Sequence, residues 1–223
     1  MVPLSIAGLS FILIFQDEIR GRLFPSGKRA KWVQEYLETY QADASVIRPS
    51  GNTCSKILLT ARRLLAGNII YDPAYEKLSF PNGDVSADRG VCADVLVRSL
   101  RGIKVDLQKE IFDDRNNAPG VYPRIWNTNV IDPSIDHRRV PNLMTYFDRN
   151  HHALPLSSDP SDYYPCDIVA WDLGKGVTHI GIVTDSRSKA GVPLILHHIS
   201  GTPAENEVLF RWRIIGHYSM REL

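Results

Sequence analysis

The chain has 223 residues, 43% hydrophobic and 23% charged, a balance that suits one sizeable globular core and argues against wholesale disorder. Its 26 basic and 25 acidic residues leave a formal charge of +1, which gives no electrostatic footing for nucleic acid. Three cysteines, Cys54, Cys92 and Cys166, are too few and too odd in number for a disulfide framework, so at least one is a free thiol unless chains cross-link.

Residues 3–15 form a nearly unbroken apolar run, shorter than the roughly 20 residues a membrane span needs. Its length suits the hydrophobic region of a secretory signal. No Lys or Arg precedes it, however, and Gln16-Asp17-Glu18 follows in place of a small-residue cleavage site. Export or membrane association through residues 3–15 is the expectation, which places the protein in the periplasm or cell envelope. A packed N-terminal helix in a cytoplasmic protein is the alternative. In residues 16–50, Trp32, Tyr36, Leu37 and Tyr40 have helical spacing, and Pro49-Ser50-Gly51-Asn52 ends the segment. The expected organisation is an apolar segment and helical extension over residues 1–50, followed by one domain over 51–223.

Within that domain a helix is expected from Ser55 to Leu65, with Ile57, Leu58, Ala61, Leu64 and Leu65 inward and Gly67-Asn68 closing it. Ile69-Ile70-Tyr71-Asp72-Pro73 then leads into a loop ending at Asp88-Arg89-Gly90. Beyond it, Val95, Leu96, Ser99 and Leu100 fall at helical spacing from Cys92, so the thiol sits on the inward stripe in a helix's first turn. Unpaired N–H groups and the positive dipole end there favour thiolate, the reactive form. A small buried hydrophobe is the plainer reading of the same cysteine. Residues 102–140 read as loop-rich, with Val105, Leu107 and Ile111 marking a short packed element. Long loops in a compact domain are often functional, so the segment is a candidate for facing substrate, while a solvated or structural role is the commoner reading of its polar cluster Asp136-His137-Arg138-Arg139. A helix follows from Val140 to Asn150.

The last third changes character. Strands are expected at Asp167–Trp171, Val177–Thr184, Leu194–Ile199 and Val208–Ile215, joined by links short enough for hairpins in an antiparallel sheet. Helices first and strands afterwards indicate an α+β domain. Alternation puts His179, Gly181 and Val183 on one sheet face, and Thr178, Ile180 and Ile182 on the other. His197 and His198 are adjacent and face opposite ways, so only one shares a face with His179. A thiol nucleophile needs a base for its proton and a polar group to fix the base's tautomer. Cys92, His179 and one of the paired histidines supply those types. No His-Glu-x-x-His or paired Cys-x-x-Cys spacing occurs, so neither a metal nor a cofactor is expected.

Several segments carry a resemblance: Tyr71-Asp72-Pro73-Ala74-Tyr75, Gly83-Asp84-Val85, Asp88 through Val95, Ile135 through Leu143, His179 through Val183, and Gly216-His217-Tyr218. Together they look like the bacterial family catalogued as domain of unknown function 1287, over roughly residues 53 to 220. That family is similar to the NlpC/P60 cysteine peptidases, papain-like folds in which a helix N-terminus presents the cysteine to a sheet. The resemblance implies N-terminal helices, one carrying the cysteine, packed on a C-terminal antiparallel sheet. It implies Cys92 as nucleophile, His179 as base and His197 as the orienting group, with His198 standing where the family pattern has Asn. Tyr71 or Tyr75 matches a tyrosine bordering the site. Tyr71, Asp94, His137 and His198 are the candidates for substrate contact. The usual Asp-Cys-Ser-Gly around the nucleophile is replaced here by Val91-Cys92-Ala93-Asp94, so the substrate need not be the same.

The expected function is a thiol hydrolase acting on amide bonds of peptidoglycan stem peptides, with peptidoglycan or peptide as partner and no nucleic acid. A thiol acyltransferase, or an inert peptidoglycan- or protein-binding module of the same fold, is the alternative. Cys54 and Cys166 are expected as packing residues, or as a disulfide if the protein is exported.

Overall fold

A computed structural model describes residues 53–125 and 130–220. The apolar run and the expected helical extension lie outside these residues. The described chain is a mixed α+β fold with four α-helices and a five-stranded antiparallel sheet.

Helix α1, Thr53–Leu65, buries Ile57, Leu58 and Ala61, the stripe its spacing predicts. Helix α2, Cys92–Arg101, buries Cys92, Val95, Leu96, Ser99 and Leu100. Each of its fully buried aliphatic side chains contributes about 1.5–3 kcal/mol. Helix α3, Leu107–Asn117, replaces the short packed element expected in a loop. Its inward face escaped notice because half of it is polar. Gln108 Nε2 donates to the Ser79 and Pro133 carbonyls, and buried Arg115 pairs with Asp136. The Asp106 carboxylate caps its start by accepting from the Gln108 N–H at 3.1 Å. Helix α4, Val140–Arg149, starts with Pro141 in its first turn, where a missing N–H costs nothing.

Two short parallel strands, β1 (Ile70–Tyr71) and β2 (Arg89–Gly90), close the loop that precedes α2. Arg98 holds that loop in place. Its guanidinium bonds Asp84 and donates to the carbonyls of Val85, Ser86 and Arg89.

The main sheet comprises β3 (Ile168–Gly174), β4 (Val177–Arg187), β5 (Pro193–His197), β6 (Ala204–Asn206) and β7 (Arg213–Tyr218). Their spatial order is β6-β5-β4-β3-β7, antiparallel throughout. Three strands fall close to their expected places, β5 ending at His197 where Ile199 was expected, but the fourth, expected at Val208–Ile215, is two. Strand β6 extends the sheet beyond β5, while β7 crosses to the opposite edge beside β3. Val208 and Leu209 lie in the turn between them and plug the sheet's far face.

The two faces are distinct. Ile168, Ala170, Ile180, Ile182 and Leu196 pack against the helices in one cluster that includes Cys92. Val169, Trp171, Val183 and Ile195 form a second cluster with Tyr163, Val208 and Leu209. A disulfide between Cys54 and Cys166 ties the start of α1 to the entry of β3, and Cys92 is the free thiol. Among the described residues no helix is long and apolar enough to cross a membrane.

Candidate functional site

The loop held by Arg98 delivers the chain into α2 at Val91, whose extended backbone precedes the first helical residue, Cys92. Asp94, in the first turn, accepts the Val91 N–H at 2.7 Å and so fixes the cysteine's entry. The Cys92 side chain is buried, 6% exposed. Three backbone N–H groups, of Ile180, Ala93 and Cys92 itself, face its sulphur and favour thiolate. Burial outweighs them and pushes the thiol up to about 12, with the Asp94 charge adding to the rise. The thiolate expected from a helix N-terminus is therefore not the resting form of this buried side chain.

Across the sheet, a chain of imidazoles forms. His179 Nε2 lies 2.9 Å from His197 Nδ1, and His197 Nε2 lies 2.9 Å from Asn206 Oδ1. Burial holds both rings neutral: His197 is pushed down to about 4 and His179 well below its ordinary value. The protons then follow from the chemistry. The Asn206 oxygen accepts, so His197 carries its proton on Nε2. Its bare Nδ1 accepts from His179 Nε2–H, which leaves Nδ1 of His179 as an unprotonated base. Gly181, directly opposite His197 and two residues on from His179, leaves the room in which the His197 ring sits. A Cβ there would come within 2.6 Å of Ile195 Cγ2 and 3.1 Å of His197 Cβ. Trp171 stacks on His179 at 5.6 Å, and Trp212 meets both rings edge-on, so the relay is sheltered from water.

The thiol and the relay lie on opposite faces of β4. Among the described residues no hydrogen bond links Cys92 to His179. The sulphur lies instead against the N–H of the peptide joining His179 to Ile180. They are near neighbours across one strand end, because β5 stops at His197, opposite Gly181, and leaves Ile180 no β5 partner.

The remaining candidates divide. Tyr71 and His198 are on the thiol's side. Their rings meet edge-on at 5.1 Å, and Tyr71 is pushed upward by burial and by its proximity to Cys92. Asp94 is committed: both its oxygens accept from Arg138, at 2.8 and 2.9 Å, in a buried fork. His137 is buried in the turn before α4, pushed down to about 4 by burial, with its Nδ1 unpartnered. Tyr75 is exposed. Among the described residues no group of three or more His, Cys, Asp or Glu could hold a metal ion.

Asn206 and Arg138 escaped the reading of the sequence. Asn206 shares the face of His197 because His197 registers with Ala204, two residues earlier, a diagonal pair on β5 and β6. Its signal was alternation within a strand too short to notice. Arg138 stood in the recognised polar cluster, but its partner lies 44 residues away.

The family model described as Domain of unknown function (DUF1287) matches residues 58–220. A relative from Escherichia coli (strain K12), which bears the name Uncharacterized protein YijF, is 45% identical over 182 residues, covering 82% of this chain and 89% of the relative. No solved structure matches. The chain belongs to the DUF1287 family.

Proposed function

We propose that the protein is a cysteine hydrolase of the cell envelope, on a papain-like fold of the NlpC/P60 type, that cleaves amide bonds in peptidoglycan stem peptides. The observation that carries this reading is the hydrogen-bonded chain His179–His197–Asn206, ending at the peptide whose N–H meets the Cys92 sulphur. Such a chain fixes the tautomer that a proton acceptor needs. The disulfide supports an oxidising compartment.

In the reaction, Nδ1 of His179 takes the Cys92 proton and the thiolate attacks the scissile carbonyl. The Cys92 N–H helps hold the oxyanion. Collapse breaks the C–N bond, His179 returns the proton to the leaving amine, and water hydrolyses the thioester to carboxylic acid and free thiol. The first step requires a rotation that brings the sulphur around the end of β5 to His179. Handing the thioester to an amine instead of water would make the same site an acyltransferase.

The buried, protonated state of Cys92 favours a second reading, a binding module with an inert thiol. Iodoacetamide labelling of Cys92 across the acid-to-alkaline range, in wild type and His179→Ala, separates the two. Labelling well below the ordinary thiol pKa of about 8.5, shifted upward in the mutant, supports the hydrolase. Labelling only after unfolding supports the module. Release of new amino groups from purified sacculi, lost in Cys92→Ser, then tests the substrate.

A further inference from the structure

Nδ1 of His198 is a buried acceptor with nothing bonded to it. The residue is 1% exposed, and its Nε2 lies 3.0 Å from the Gly201 carbonyl oxygen. That oxygen only accepts, so Nε2 carries the proton and Nδ1 the lone pair. Buried polar atoms are paired in the great majority of cases, so an unpaired one asks for an explanation.

The surroundings point to a ligand. His198 follows Leu196 by two residues, on the face that packs against the cysteine helix, whereas His197 faces the relay. Its ring meets Tyr71, whose hydroxyl is pushed up by burial and by its proximity to Cys92. The Tyr71 backbone N–H donates to the same Gly201 oxygen at 3.1 Å, so the Tyr71 backbone and the His198 ring are fastened to one turn, on the thiol's side of the sheet. Neighbouring polar groups are occupied elsewhere. The Asp94 oxygens accept from Arg138 and Val91, Arg98 is spent on the Asp84 loop, and His179 and His197 bond each other.

We infer that His198 determines specificity at the thiol: its bare Nδ1 accepts an N–H from an amide-bearing acyl group brought to Cys92, and disfavours a carboxylate in the same place. An amide N–H pairs with that lone pair, whereas a carboxylate oxygen sets lone pair against lone pair. The inference rests on the reading of Cys92 as a reactive thiol. It adds that the acyl donor carries an N–H donor close to the carbonyl attacked.

Two alkylating reagents of nearly equal size test it, because iodoacetamide carries the N–H and iodoacetate the carboxylate. Labelling of Cys92 in the full chain is followed by peptide mass spectrometry near neutral pH, and each rate is normalised to free cysteine. Wild type should prefer iodoacetamide about fivefold to tenfold more than free cysteine does, the worth of one hydrogen bond. His198→Leu should return the ratio to that of free cysteine, and His198→Asn, which keeps an acceptor oxygen, should retain a preference. Should His198→Leu not fold, protection in wild type serves instead: acetamide slows labelling and acetate does not. An unchanged ratio in folded His198→Leu, or equal protection by both compounds, overturns the inference while leaving the reactive thiol intact. No labelling of the folded wild type by either reagent overturns it together with the hydrolase reading.

Discussion

Replacing Arg138 by Met should destabilise the protein by about 3 kcal/mol, the low end of the cost of breaking a buried ion pair. Arg138 and Asp94 side chains are 2% and 3% exposed, and two short hydrogen bonds join them as a fork. Without the guanidinium, Asp94 keeps the Val91 N–H and the positive end of α2, which is why the low end applies. Urea unfolding measures the effect. With a slope near 2 kcal/mol/M, usual for a small domain, the midpoint should fall by about 1.5 M at unchanged slope. The double replacement Asp94→Leu with Arg138→Met should recover most of the loss, because no charge is then left buried alone. Cys92 supplies an independent readout. The Asp94 charge already raises the thiol's pKa, so leaving that charge uncompensated in Arg138→Met should slow alkylation at neutral pH. A midpoint shift below about 0.5 M, or a double variant costing the sum of the singles, would refute the argument that a paired charge anchors the cysteine's turn.

Three further outcomes follow from the same contacts. Serine at both Cys54 and Cys166 releases a loop closed over 112 residues, worth about 5 kcal/mol in the chain-entropy model; an unchanged melting temperature on reduction would count against it. His197 and His137 are folded with pKa values near 4 against an ordinary 6.5, so protons favour the unfolded chain. Their contribution is present above pH 6.5 and lost as pH falls toward 4, about 3 kcal/mol each, with Glu205, whose pKa is lowered, acting in the same direction; a urea midpoint flat from pH 7 to 4 would contradict this. Asn206→Leu strands the His197 Nε2–H at a cost of about 1–3 kcal/mol and frees the relay's tautomers. Nitrogen NMR of the imidazoles should show one tautomer for His179 in wild type and a mixture in the variant, and identical spectra would break the relay argument.

Much of the fold was legible because its signals are local. The stripes of α1 and α2, the strand alternation from Ile168 to Val183, and the Gly-rich links at Gly174 to Gly176 all lie within a few residues of what they specify. What escaped is non-local. Helix α3 buries Gln108 and Arg115, whose partners come from Ser79, Pro133 and Asp136, so its inward face does not read as apolar. The crossing of β7 to the far edge depends on which strand offers a free side, and Val208 and Leu209 were apolar because they plug a sheet face, not because they extend one.

The site divides along the same line. Alternation separates His179 from Ile180 and His197 from His198, and the structure keeps both separations. Alternation cannot say which face the cysteine helix covers. That is set by Ile180, Ile182 and Leu196, which are apolar and pack under α2, so the relay is left on the face sheltered by Trp171 and Trp212. The two halves meet only because β5 ends at His197. One more paired residue would give the Ile180 N–H a strand partner and take it from the Cys92 sulphur. The length of β5 therefore decides whether thiol and imidazole share an edge at all, and just past the strand's last residue, His197, the His198 side chain bonds the following turn at Gly201.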